Sequence, residues 1–393
     1  MGKTEKRAYL DAIRDRYHAE SKRAEKKGIL NEFCSVCGYV RKYAIRLLSA
    51  RTGPPKDRPP RVKRESPYGA PKLVAVLKRI WLAADQPCGK RLVALLPTWL
   101  PADESRRGRL SPELRARLLS ISAATADRQL KPAKLKYPKK GLGGTKPGSI
   151  LRSQIPIRTD FWDVTKPGYV EADTVAHCGD SLAGNFVWSL TMTDIFTTWT
   201  ECRAVWNKGA QGVIAQIRDV ESKIPFDLLA FDSDNGSEFL NHHLIRYFSN
   251  HPRSPKFTRS RPYRKNDNAH VEQKNWSHPR QLLGYDRLEN PDLVPMINDL
   301  YANEFSLLQN YFQPSFKLEK KERIGAKIKK RYSRPQTPYQ RVLACADIPE
   351  ATKVRLATVF ANLDPFALKA AIERKLKAIY KLVLVTSAGR QRI

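Results

Sequence analysis

The sequence lacks any run of 18 apolar residues, which is the length that a membrane-spanning helix needs. The first 20 residues are charged throughout, so we expect no secretory signal peptide. Cysteine is also scarce, with 6 in 393 residues, which predicts reduced thiols and no disulfide framework. Together these absences predict a cytoplasmic protein without a membrane segment.

Acidic residues are few beside basic ones: 39 Asp and Glu stand against 71 Lys and Arg, a net charge of +32. A magnitude of about 2–8 is enough to keep a small domain soluble. The excess therefore predicts a polyanionic partner, either nucleic acid or an anionic membrane surface. Hydrophobic residues make up 41%, which is an ordinary globular share, and the length predicts two or three domains.

The charge is unevenly placed along the chain. The net charge is +23 over residues 1–160, −4 over 161–310 and +13 over 311–393. This pattern predicts nucleic-acid contacts in the outer parts and carboxylate chemistry in the middle. Composition divides the chain into a helical unit (1–50), a basic Pro-rich linker (51–69), a second helical unit (70–130), a basic Gly/Lys linker (131–160), a mixed α/β core (161–310) and a basic, mainly helical C-terminal arm (311–393).

Two short helices separated at Gly38 are predicted within residues 20–50. The second carries Arg41, Lys42 and Arg46 on one face, as the recognition helix of a helix-turn-helix does. The alternative is a pair of amphipathic helices that only pack together. Residues 70–130 repeat the pattern, which favours duplex DNA as the partner. Cys34 and Cys37 supply two zinc ligands at most, so we interpret them as packing residues.

The middle of the chain predicts a mixed sheet with flanking helices. Apolar alternation and runs predict strands at 169–177, 186–193, 199–206, 226–231 and near 257, with helices at 209–222, 237–248 and from 268. Asp173 lies in the first strand, Asp234 follows the buried strand, and Glu272 lies in the last helix. Such carboxylates either form turns or bind hard cations such as Mg²⁺. Glu171 and Asp232 are alternative ligands or partners, because each precedes one of these acids by two residues.

These acids and their neighbours carry a family resemblance. Asp173, the segment Asp234–Phe239 (DNGSEF) and the segment Asn268–Glu272 (NAHVE) resemble the catalytic core of DDE transposases and retroviral-type integrases. The flanking segments resemble bacterial insertion-sequence transposases: Cys37–Ala44 (CGYVRKYA), Phe312–Leu318 (FQPSFKL) and Thr337–Leu343 (TPYQRVL).

The resemblance implies a ribonuclease-H-like core in which Asp173, Asp234 and Glu272 are the catalytic residues and hold Mg²⁺, with Mn²⁺ as a substitute. It implies binding of transposon terminal inverted repeats, Mg²⁺-dependent strand cleavage and strand transfer into target DNA. Lys274 and Asn275 are expected to contact DNA near the metals. The expected assembly is a homo-oligomer on double-stranded DNA, associated with the bacterial nucleoid.

The C-terminal arm contains a dense basic run that includes Lys327, Lys329, Lys330 and Arg331. We predict that it contacts DNA phosphates, the alternative being a solvated linker. Pro279 is expected to kink or end the Glu272 helix. That leaves a catalytically inactive, transposase-derived DNA-binding repressor as the alternative function. A nuclease acting on RNA hybrids is a third, which the helix-turn-helix candidates disfavour.

Overall fold

The structure is a computed structural model and describes residues 2–50, 67–137, 164–233, 238–239, 241–259, 269–324 and 327–390. For Glu272 and Lys327 it describes the backbone only. By its contacts the chain forms two compact units, residues 1–65 and residues 66–393. No described helix is long and apolar enough to cross a membrane.

The first unit consists of three helices with a core of their own. They are α1 (Lys3–Ala19), α2 (Arg23–Cys37) and α3 (Arg41–Leu48). Gly38 ends α2 with φ of 67°, a left-handed conformation that glycine adopts without strain. The core contains Ile13, Leu30, Phe33, Cys37, Ala44 and Leu48. Cys37 is thus a packing residue, as the sequence predicts.

The second unit begins with helices that share a core with the far end of the chain. They are α4 (Pro71–Ala83), α5 (Gly89–Arg107), α6 (Pro112–Ser120), α7 (Ala123–Gln129) and α8 (Lys131–Lys136). One hydrophobic cluster joins them to residues between 283 and 379. The indole of Trp99 in α5 donates to the carbonyl oxygen of Phe312 at 3.3 Å, a contact across 213 residues.

A five-stranded mixed sheet forms the centre of this unit. Its strands are β1 (Tyr169–Ala176), β2 (Val187–Asp194), β3 (Thr200–Trp206), β4 (Ala230–Ser233) and β5 (Lys256–Arg259), in the order β3-β2-β1-β4-β5. The first three pair antiparallel, whereas β4 is parallel to both β1 and β5. The predicted α/β core with a mixed sheet and flanking helices is confirmed.

Helices cover both faces of this sheet. Helices α9 (Ala210–Lys223) and α10 (His242–Ser249) pack against one face, where Val170, Ala172 and Phe231 are buried. Helix α11 (Ala269–Asn275) contacts β1 and β2. Because β1 alternates its side chains, Glu171 and Asp173 lie on the face opposite to Val170 and Ala172.

Pro279 does not end the Glu272 helix, which was one of the two outcomes expected of it. After α11 the chain continues as a π-helical turn, Trp276–Arg280, and then as α12 (Gln281–Leu283). The π-helical turn contains Pro279, and the helix continues through it although proline has no backbone N–H to donate. Strand β4 also differs from its prediction, because it lies at 230–233 and not at 226–231.

Helix α13 (Leu293–Leu300) precedes the C-terminal arm. The arm is mainly helical, as predicted, with helices α14 (Pro338–Ala344), α15 (Glu350–Ala361) and α16 (Pro365–Arg390). Two π-helical turns, Tyr301–Phe305 and Leu308–Phe312, follow α13. The basic run itself forms an antiparallel hairpin of β6 (Leu318–Ile324) and β7 (Lys327–Tyr332), which the sequence did not predict.

Candidate active site

Asp173 lies on β1 at the point where α11 crosses the sheet. Its Oδ2 accepts a hydrogen bond of 2.6 Å from Nδ2 of Asn275 in α11. Its Oδ1 accepts one of 2.7 Å from the backbone N–H of Thr174. The carboxylate is half-buried and is oriented by both contacts.

Glu171 ties the beginning of α11 to the same strand. Its Oε2 accepts from the backbone N–H of Val271 at 3.2 Å, and the side chain is buried. N–H groups in the first turn of a helix have no partner within the helix and carry partial positive charge, so a carboxylate stabilises them. Glu171 was considered as a metal ligand or as a partner of one. Its contact with Val271 makes it a positioning residue for α11.

The two contacts lie on either side of Glu272. Val271 precedes it and is bonded to Glu171, whereas Asn275 follows it by three residues and is bonded to Asp173. The backbone of Glu272 is therefore fixed beside β1, between two carboxylates of that strand.

Asp232 is also held within the sheet. It pairs in register with Glu171 and is fully buried, and its Oδ1 accepts from the hydroxyl of Thr258 at 2.5 Å. Strand β4 extends through Ser233, so Asp232 is a strand residue. Its described hydrogen bond joins β4 to β5.

Asp234 lies outside the described residues, but both ends of its segment contact β1. Ser233 pairs in register with Ala172. Glu238 accepts a short hydrogen bond from the hydroxyl of Thr174 and forms an ion pair of 2.9 Å with Lys208. Ser233 and Glu238 thus contact Ala172 and Thr174, the two residues that flank Asp173.

The donor set beside Asp173 suits a hard cation. Oδ1 of Asn275 is a buried amide oxygen, and it has no hydrogen-bond partner among the described residues. A carboxylate and an amide oxygen are ligand types that Mg²⁺ prefers, directly or through bound water. The described residues contain no group of three His, Cys, Asp or Glu side chains placed to hold a metal, and two of the predicted ligand side chains lie outside them.

Lys274 is directed towards the turn between β2 and β3. It is partly buried, and its Nζ donates to the carbonyl oxygen of Thr198 at 3.4 Å. Burial, together with the positive charges of Arg91 and Arg341, lowers the pKa of Lys274 to about 7. Arg341 donates to the hydroxyl of Thr198 at 2.6 Å.

Of the other predicted DNA-binding residues, those whose side chains the structure describes lie on exposed surfaces. Arg41, Lys42 and Arg46 are exposed on α3, and Arg46 stacks on Tyr43 with its guanidinium carbon 4.9 Å from the ring centre. In the second unit, Lys329, Lys330 and Arg331 are exposed cations among the described side chains of the hairpin. Lys327 begins β7, and its side chain is outside the described part.

Comparison with known proteins identifies a bacterial relative. The chain is 42% identical over 337 residues to the uncharacterized protein y4rM of Sinorhizobium fredii, and the match covers 84% of this chain and 93% of the relative. The chain belongs to the y4rM family. A scan of this y4rM family member against protein-family models gives no match.

Solved structures similar to this member of the y4rM family include retroviral integrase catalytic cores. The core domain of HTLV-2 integrase in complex with magnesium is 16% identical, with a TM-score of 0.27, and the match covers 38% of this chain and 90% of that one. The core domain of BIV integrase is 15% identical, with a TM-score of 0.27 and coverages of 44% and 91%. A simian T-cell lymphotropic virus intasome in complex with a PP2A regulatory subunit is 13% identical, with a TM-score of 0.29 and coverages of 54% and 69%.

Two positioning contacts were missed by sequence reasoning. Glu171 was considered only as an alternative ligand or partner, and Glu238 only as part of a motif. The first contact had a signal in the sequence, because Glu171 is an acidic residue at an inward-facing position of a buried strand. The ion pair of Glu238 with Lys208 had no local signal, since 30 residues separate them.

Proposed function

We propose that this protein is a DDE transposase that binds transposon terminal inverted repeats and catalyses DNA strand cleavage and strand transfer. One observation carries the proposal: contacts to Glu171 and Asp173 hold α11 on both sides of Glu272. Carboxylates gathered at one site can hold the metal ions that assist displacement at a phosphodiester.

Asp173, Asp234 and Glu272 are the proposed ligands of Mg²⁺, for which Mn²⁺ is the proposed substitute. When bound, the metal lowers the pKa of water and stabilises charge on the phosphodiester oxygens. Asn275 orients the Asp173 carboxylate through its 2.6 Å hydrogen bond, and Glu171 holds the start of the helix that carries Glu272.

Duplex DNA is the proposed partner of the basic surfaces. The net charge of +32 favours association with a polyanion. Arg41, Lys42 and Arg46 are proposed to contact the terminal repeat, and the exposed hairpin cations, with Lys327, the backbone phosphates. Lys274, which donates to the carbonyl oxygen of Thr198, is proposed to contact DNA near the metals. A homo-oligomer assembled on DNA in the bacterial cytoplasm is the proposed active form.

The test uses the full chain with labelled DNA that carries the inverted repeats flanking its gene. We expect nicking and strand joining with Mg²⁺ or Mn²⁺, and none with EDTA. Asp173→Asn is expected to abolish both reactions, because an amide cannot supply the negative charge of a metal ligand. Asp180→Asn is the matched control, since Asp180 is an exposed acid that follows β1.

Asp234→Asn and Glu272→Gln extend the same test to the other two acids. Cleavage that persists in any of these three variants would contradict the proposal. Binding to the repeats without cleavage by the wild type would favour a DNA-binding repressor instead.

A further inference from the structure

Trp276 is an exposed aromatic residue beside the candidate active site. It follows Asn275 directly and begins the π-helical turn. Its side chain remains 48% exposed, although tryptophan is usually well buried in folded proteins. Among the described residues, no aromatic ring or cation stacks on its indole.

Helical geometry places Trp276 on the same side of the helix as the acid. At about 100° per residue, Asn275 lies about 60° to one side of Glu272 and Trp276 about 40° to the other. The contact of Asn275 with Asp173 fixes which side of the helix meets β1. Gln273 is exposed, whereas Val271 and His278 are buried. The indole therefore borders the site on its solvent side.

We propose that Trp276 binds an unpaired nucleobase of the DNA end by stacking, next to the phosphodiester that reacts. This inference rests on the proposed function, which brings a DNA strand to Asp173 and Glu272. Each nucleobase has a flat π-face that stacks on aromatic side chains without sequence preference. Bases inside a duplex are already stacked on both faces, so the indole selects a base that has left its pair.

The direct test is binding without chemistry. The full chain is titrated with a duplex that has three unpaired nucleotides at one end, and Ca²⁺ replaces Mg²⁺ so that no cleavage takes place. The unpaired nucleotides are placed on the 3′ end in one duplex and on the 5′ end in another. A matched duplex carries three abasic units instead. We expect the wild type to prefer the base-bearing end by about tenfold, in the range of stacking contributions to single-strand binding. A 2-aminopurine in the unpaired end should lose fluorescence on binding.

Two substitutions separate stacking from folding. Trp276→Phe keeps an aromatic ring and should retain most of the preference. Trp276→Leu keeps an apolar side chain and should remove both the preference and the fluorescence loss, with unchanged thermal unfolding. Val354→Ala on α15 removes apolar surface at a residue that is 58% exposed, and should change neither readout.

A wild type without the preference, or a Trp276→Leu variant that keeps it, overturns the inference. A change of oligomeric state in Trp276→Leu without a change in preference also overturns it, since the indole would then cover a second copy. Stacking and cleavage are measured separately. Cleavage without stacking removes this inference alone, whereas stacking without metal-dependent cleavage removes the proposed function alone.

Discussion

At the scale of single residues, the side-chain amide of Asn275 helps to orient Asp173. The hydrogen bond from Asn275 fixes one carboxylate oxygen, and the backbone of Thr174 fixes the other. Partners that orient a metal ligand typically contribute 10–100-fold to metal affinity or activity. Asn275 is therefore expected to affect metal dependence more strongly than DNA binding.

We predict that Asn275→Ala raises the Mg²⁺ concentration for half-maximal nicking by about tenfold or more. Affinity for the terminal repeat in EDTA should stay within about twofold, because the amide is directed at Asp173. Gln273→Ala is the control, since Gln273 is an exposed amide of the same helix. An equal loss in both variants, or an unchanged metal requirement in Asn275→Ala, would show that the hydrogen bond has no such role.

The sequence predicts Asp173, Asp234 and Glu272 as a set, but it cannot predict how they are held. The contacts of Glu171 with Val271 and of Asp173 with Asn275 join residues about 100 positions apart. Local patterns carry no information on such pairs. They arise only when α11 is placed on β1 by the packing of the whole unit.

At the scale of elements, alternation predicted the three antiparallel strands closely, since they are long and contain β-branched and aromatic residues. The prediction for β4 began four residues early and ended two residues early, because an apolar run precedes the strand. Its actual bounds are set by pairing with β1 and β5. The basic hairpin was missed because lysine is uncommon in strands and gives no strand signal.

At Lys329, Lys330 and Arg331 this hairpin is exposed on both of its faces. Lys329, Lys330 and Arg331 are consecutive residues of β7, and all three are exposed. Successive strand residues point to opposite faces, so neither face of the ribbon is covered at these positions. In register, Lys330 pairs with Lys321 and Arg331 with Lys320. Like charges opposite one another destabilise a strand pair, and a polyanion offsets that repulsion.

We predict that Lys329→Ala combined with Lys330→Ala lowers the salt dependence of DNA affinity. The slope of log K against log salt should fall by about 1.8, because each cation that neutralises a phosphate of duplex DNA adds about 0.9 to that slope. Lys353→Ala on α15 is the control, because Lys353 is paired with Glu350 at 3.7 Å. An unchanged slope in the double variant would assign the hairpin to a role other than phosphate binding.

At the scale of the whole molecule, the charge pattern and the packing divide the chain differently. Charge separates residues 1–160 from the near-neutral middle. Packing instead joins α4–α8 to the C-terminal helices, through contacts such as the Arg106–Asp364 ion pair at 2.6 Å. Residues 1–65 form a separate unit, and its described residues have a core of their own.

That separation leads to a prediction for a chain that begins at Ser66. It retains the shared core and the sheet, so its thermal unfolding should match the main transition of the full chain. It lacks Arg41, Lys42 and Arg46, and should therefore discriminate poorly between the terminal repeat and unrelated DNA. Specific binding is typically 10³–10⁷ times tighter than non-specific binding, so the loss should be large in competition assays.

The variant that matches this truncation is the full chain with Arg41, Lys42 and Arg46 all replaced by alanine. It should reduce discrimination while α1–α3 stay folded, because all three side chains are exposed and outside the core of the unit. If the chain from Ser66 kept full discrimination, sequence recognition would have to lie in the second unit. The cations of the first unit would then add affinity for any duplex, and their removal would weaken binding to repeat and unrelated DNA equally.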